Sequence, residues 1–143
     1  MTVAVILQQK GSAVITTGPG TILSAVAELL ATHRIGAVLV VGQNGRLEGI
    51  ISERDIVRAI GQQGAEALKR PVADFMTAQV VTCGRDDSIA YLMQKMTQGK
   101  FRHVPVLEDG KVVGIVSIGD VVKERIAAAE AETEAMRTYI TTA

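Results

Sequence analysis

The stretch Gly49-Ile50-Ile51-Ser52-Glu53-Arg54-Asp55-Ile56-Val57-Arg58 recurs as Gly114-Ile115-Val116-Ser117-Ile118-Gly119-Asp120-Val121-Val122-Lys123, 65 residues further on. Each copy runs from a β-rich apolar segment through Ser-x-x-Asp into an apolar-periodic one, the pattern of a strand that exits directly into a capped helix. The repetition extends outward. Ile35 to Val41 matches Phe101 to Leu107, and Val14-Ile15-Thr16 matches Val80-Val81-Thr82, both at a separation of 66. Ile22, Ala25, Val26 and Leu29 match Ile89, Leu92, Met93 and Met96. The 143 residues therefore read as two similar units packed as one body, with the offset drifting only in loops.

Each unit reads as strand, helix, strand, strand, helix, an α/β (α+β) class of two βαββα repeats. Ile89, Leu92, Met93 and Met96 mark one helical face, with Asp86, Asp87 and Ser88 offering cap oxygens that accept from its free amides and Gly99 as a left-handed stop. Thr21 and Gly36 are expected to bound the matching helix of the first unit. Asn44-Gly45 and Asp109-Gly110 predict hairpins between Gly36 to Val41 and Leu47 to Ser52, and between Val104 to Leu107 and Lys111 to Ser117. Pro105 lacks an amide donor, so its strand should leave an edge or opening there. Short helices are expected over Val3 to Lys10, capped by Thr2, and over Val72 to Met76, opened by Pro71. Residues 2–61 and 72–127 form the units, 62–71 the linker, and 128–143 a tail that continues a helix begun at Ile118.

Composition excludes several classes. Fifteen Lys and Arg balance fifteen Asp and Glu, so no global field draws in nucleic acid or an anionic membrane. Two Phe, two Tyr and no Trp leave little for base stacking. Apolar runs such as Val3 to Leu7 and Ala37 to Val41 are far shorter than the ~20 residues of a membrane-spanning helix. Cys83 has no cysteine to pair with, and no secretory leader pattern is present, so a cytoplasmic setting is expected. His33, His103 and Cys83 are too few for an all-protein zinc site, and no metal is expected. The chain lacks a Walker phosphate loop, Gly-x-Gly-x-x-Gly and a Gly-x-Ser-x-Gly elbow, so no enzymatic activity is expected.

The repeated Gly-apolar-apolar-Ser-x-x-Asp has two readings. Free amides and the positive helix end suit phosphate, the serine hydroxyl adds a donor, and aspartate accepts from ribose hydroxyls. The same spacing is a capping box that satisfies only the helix's own amides.

The two motif copies, the repeat order, and Phe101-Arg102-His103-Val104-Pro105-Val106 before the second hairpin turn closely resemble a tandem pair of cystathionine β-synthase (CBS) domains. The resemblance covers about residues 2 to 127. It implies a pseudo-twofold (Bateman) module with two clefts that take adenosine ligands: AMP, ADP or ATP, and in some members NAD or S-adenosylmethionine. It places Ser52 and Asp55 in one cleft and Ser117 and Asp120 in the other, aspartate on ribose and serine toward phosphate. It also implies Arg102, His103 and Val104 beside adenine, with Ala37 in the equivalent place, and Thr16 and Thr82 at the rims. Arg54 and Arg58 are candidates for phosphate. Because the second unit holds the fuller adenine-side pattern, its cleft ranks first. The implied function is a non-catalytic regulator that signals by conformational or assembly change, as a homodimer acting on an effector protein. A ligand-free interaction scaffold is the alternative. The family also occurs inserted in inosine monophosphate dehydrogenase, but this sequence has no room for a catalytic barrel of ~250 residues.

Overall fold

The computed structural model describes residues 1–142; Ala143, the end of the expected tail, lies outside them. The elements are α1 (Val3–Lys10), β1 (Thr16–Thr17), α2 (Leu23–His33), β2 (Ala37–Val41), β3 (Leu47–Ser52), α3 (Glu53–Gln63), α4 (Ile89–Gly99), β4 (His103–Glu108), β5 (Lys111–Ser117) and α5 (Ile118–Thr142). Two small sheets result, a three-stranded one in the order β1-β2-β3 and a two-stranded β4-β5, giving a mixed α+β fold. The two hairpins keep the same register in both repeats. Leu39 faces Ile50 as Pro105 faces Ile115, and each ladder slips at its end, between Val40 and Val41 or between Val106 and Leu107.

The strand expected at Val80 to Thr82 is absent. The second repeat keeps only a bridge from Cys83 to Val106, where Thr16 and Thr17 pair with Leu39 and Val40 in the first. Pro105 explains the difference. In the first repeat the Leu39 amide donates to the Ile15 carbonyl, and the matching position in the second is a proline with no amide to give. Helix ends differ in a related way. The left-handed residues after α2 and α4 are Arg34 and Lys100, not the glycines. Gly99 serves packing instead, since a Cβ there would run into the Phe101 ring. Thr21 does not cap α2; Ile22 holds the cap position and Thr21 Oγ1 accepts from Thr17 Oγ1. The segment after Pro71 is a single 3-10 turn, Val72–Asp74, rather than a helix to Met76, and the linker is helical too, α3 passing into a 3-10 turn at Gly64–Lys69.

The repeats are interlaced. The core of the second repeat takes Val3, Ile6 and Leu7 from α1, packed with Ile89, Leu92, Met96, Val104, Val106, Val116 and Val121. The core of the first takes Ala67 and Val72 from the segment leading into the second, packed with Leu23, Val26, Val38, Val40 and Ile51. Backbone bonds reciprocate this exchange: Val3 donates to Asp87 and Ile89 to Met1, as Val72 donates to Thr21 and Leu23 to Arg70. Each opening segment thus completes its neighbour's core, which binds the halves into one unit and explains why neither half would bury a full core alone. Alternation along β2 and β4 leaves the other strand faces, Ala37 and Leu39 or His103 and Pro105, turned away from those cores.

Candidate functional site

The first motif sits where β3 runs into α3. Ser52 is the cap residue: Asp55 N donates to its Oγ at 3.3 Å, and Asp55 Oδ2 accepts from Ser52 N at 2.9 Å and Ser52 Oγ at 3.0 Å. The capping box is therefore built, and the second carboxylate oxygen, Oδ1, faces Arg58 at 3.6 Å. One oxygen organises the helix while the other looks outward.

Outside it lies a cavity of about 340 Å³ between the repeats. Ser52, Arg54, Asp55 and Arg58 form the α3 side, and Ile50 and Gly36 the sheet side. Thr77, Gln79, Val80 and Val81 form a second wall, and the α4–β4 turn from Gly99 to His103 a third. Four cations, Arg54, Arg58, Lys100 and Arg102, line it against two carboxylates, Glu53 and Asp55. Ile50, Val80, Val81 and Phe101 give it apolar surface. An anion-bearing ligand with a flat apolar part fits this chemistry, the charged end at the α3 N-terminus and the flat end against the apolar wall.

His103 spans the two halves. Its ring carbon and nitrogen would lie 3.2 Å from a Cβ on Gly36, so a side chain there would press on the imidazole. Burial pushes the ring below its ordinary pKa, opposed by Glu53 and Asp120 and aided by Lys10 and Arg102.

The second motif has the same local geometry but a different environment. Asp120 Oδ2 accepts from Ser117 N at 2.9 Å, and Asp120 N donates to Ser117 Oγ at 3.1 Å. Here Lys10 reaches in from the end of α1 and pairs with Asp120 Oδ2 at 2.7 Å while donating to the Ile115 carbonyl at 2.9 Å. In the first repeat the equivalent carbonyl, that of Ile50, accepts from the Thr77 backbone amide instead, also at 2.9 Å. Burial raises the Asp120 carboxyl, but the Lys10 and Ser117 hydrogen bonds and the Lys10 charge outweigh it, and the pKa lies below the ordinary value.

The sequence expectation grouped Arg102, His103 and Val104 with Ser117, Asp120 and Thr82. The structure divides them. Arg102 and His103 line the cavity of Ser52, Arg54 and Asp55, whereas Ser117, Asp120 and Thr82 do not. Alternation is the reason: with Val104 buried in its own core, the neighbouring His103 side chain must point away, across to Gly36 and Glu53 of the other repeat. Val104 and Ala37 are buried and line no part of the cavity, and Thr16 is exposed on β1 outside it. Thr77, Gln79, Val80, Val81, Lys100 and Phe101 were not singled out. Gly99 before Lys100-Phe101 was the one available signal, and it reads equally as a helix stop.

Residues 11–62 and 72–127 each match the sequence model of the CBS domain. The chain belongs to the CBS-domain family. The CBS-domain protein ATU1752 of Agrobacterium tumefaciens superimposes with a TM-score of 0.85 at 46% identity, covering 87% of this chain and 92% of that one. The CBS pair of protein MJ0100, solved in complex with 5′-methylthioadenosine and S-adenosyl-L-methionine, gives 0.78 at 28% identity over 91% and 98% of the two chains. CBSX3 of Arabidopsis thaliana, a mitochondrial CBS domain-containing protein, is 36% identical over 91% of this chain; the match spans 65% of CBSX3 itself. No helix among the described residues of this CBS pair is long and apolar enough to cross a membrane. No group of three His, Cys, Asp or Glu side chains gathers there as a metal site would require.

Proposed function

We propose that this CBS pair is a non-catalytic cytoplasmic regulator that binds an adenine nucleotide, AMP, ADP or ATP, in the cleft of Ser52 and Asp55. One observation carries the reading: the capped α3 N-terminus opens onto a cavity with a surplus of cations and an apolar wall. Asp55 Oδ1 would accept from ribose, with the Ser52 hydroxyl turning from Asp55 toward phosphate, and Arg54, Arg58, Lys100 or Arg102 would meet the phosphates. The adenosine ligands of MJ0100 support an adenosine-sized occupant for this fold. Charge favours a nucleotide over S-adenosylmethionine, whose sulfonium is itself cationic. Size favours a mononucleotide over NAD, since the cavity lies at the small end of the roughly 300–1,000 Å³ range of ligand pockets. The second motif, Ser117 and Asp120, would take a ligand only after Lys10 withdraws from Asp120. Signalling would pass through a homodimer to an effector protein, because a ligand touching both repeats biases any change in how they pack.

The completed capping boxes of both motifs favour a second reading, an interaction scaffold without ligand. Calorimetric titration with AMP, ADP, ATP and S-adenosylmethionine separates the two. The nucleotide reading expects one saturable event per chain, lost in Asp55→Asn and weak for S-adenosylmethionine. A folded protein that gives no heat with any of them leaves the scaffold.

A further inference from the structure

The helix α5 leaves the body partway along its length. Val121 and Glu124 are buried and Ala128 is half-buried, but from Ala129 to Thr141 every side chain is exposed. A free helix of about that length is marginal in water, so its sequence should show what covers it. It does. Val122, Ile126, Ala129, Thr133, Met136 and Ile140 recur at alternating spacings of four and three, the seam of a left-handed coiled coil. Ile126, Met136 and Ile140 are 54%, 56% and 69% exposed, so this seam is not used within the chain. At 100° per residue it lies roughly 130° around the helix from the body-facing Val121, Glu124 and Ala128. Thr133, the polar seam residue, spends its hydroxyl on the Ala129 carbonyl at 3.0 Å and can present its methyl group.

The charges that flank the seam choose the partner. Counting Ile126 as position a, Arg125 and Glu132 hold g positions, and Lys123, Glu130 and Arg137 hold e positions. In a parallel pair in register, each g residue meets the e residue five further along the partner. Arg125 then meets Glu130 of a second copy, and Glu132 meets Arg137, both attractive and both repeated by the twofold. A fully overlapped antiparallel pair would instead set Glu130 against its own copy and Lys123 against Arg137. An anionic membrane finds no purchase on a distal helix whose acids, Glu130, Glu132 and Glu134, outnumber its single cation, Arg137.

We propose that two copies of this chain associate through the distal half of α5 as a parallel, in-register coiled coil. This deepens the homodimer part of the proposed function, and the seam lies apart from the nucleotide cavity. The test uses the full chain, with sedimentation mass and mild oxidation of a Thr133→Cys variant, the natural Cys83 being buried. The expected result is a dimer that Thr133→Cys cross-links and that the pair Met136→Glu/Ile140→Glu dissociates, abolishing the cross-link. Glu132→Arg should raise the dimer dissociation constant roughly tenfold, and adding Arg137→Glu should restore it. A monomer at all concentrations overturns both this proposal and the homodimer. A dimer that Thr133→Cys does not cross-link, or a cross-link indifferent to Met136→Glu/Ile140→Glu, overturns the coiled coil alone. Nucleotide titration of the same variants reports on the cleft separately.

Discussion

Replacing Lys10 by methionine keeps the aliphatic stem and removes the charge that holds Asp120 of the second motif. Two contacts go, the 2.7 Å pair with Asp120 and the 2.9 Å bond to the Ile115 carbonyl. The side chains are 33% and 23% exposed, so solvent screens the pair, and about 1 kcal/mol is the appropriate size for both contacts together. For a chain of this length that lowers the melting temperature by roughly 3–5 °C. The sign with pH follows from the lowered Asp120 pKa. A carboxyl whose folded pKa lies below its unfolded value of about 4 adds stability that is complete above that value and lost as pH falls through the folded one. The melting difference between wild type and Lys10→Met should therefore be full at neutral pH and shrink below about pH 4. Freed of the ammonium, Asp120 and Ser117 should also admit a second nucleotide, seen as a second calorimetric event that Asp120→Asn abolishes. Thermal melts across pH and titrations at neutral pH read the two arms. Equal melting temperatures at neutral pH, or a difference unchanged in strong acid, would refute the ion-pair account. Two events already present in wild type would refute the block by Lys10 and leave nucleotide binding intact.

Other expectations follow from the same geometry. Gly49→Ala should cost roughly 1–3 kcal/mol in urea unfolding, because its Cβ would stand 2.6 Å from Met76 Sδ and 2.9 Å from the Thr77 carbonyl oxygen, which is fixed backbone; a neutral effect would show that this crossing is loose. Burial, with Asp87 adding to it, raises the Cys83 thiol to about 12, so a thiol reagent at neutral pH should react only as the protein opens; prompt labelling of the native state would contradict the packing. His103 has a folded pKa below its unfolded value of about 6.5, so the unfolded chain binds the extra proton and stability should fall as pH drops below that value. His103→Gln should flatten that slope, and an unchanged slope would assign it to another group.

Most of the fold was legible because it was written twice. The repeated Gly-x-x-Ser-x-x-Asp, the Asn44-Gly45 and Asp109-Gly110 turns and the apolar face of Ile89, Leu92 and Met96 each follow local rules that a single sequence displays, and all three features stand in the structure. What was not legible depends on packing between the halves. Pro105 announced a missing donor, but that it shortens the partner strand to a bridge at Cys83 requires knowing which carbonyl waits opposite. Lys10 read as the last residue of a short helix; its place on Asp120 exists only because α1 packs into the second repeat's core. The clefts show the same limit. Repetition in sequence aligns Arg102 and His103 with the motif that follows them, whereas strand alternation sends their side chains to the motif of the other repeat. Two motifs alike in sequence are thereby made unlike: one opens onto a cavity lined by four cations, the other has its aspartate already held by a lysine. On the proposed nucleotide reading, such a pair would respond in steps, the first ligand at Asp55 and a second at Asp120 only where its binding outweighs the contacts of Lys10.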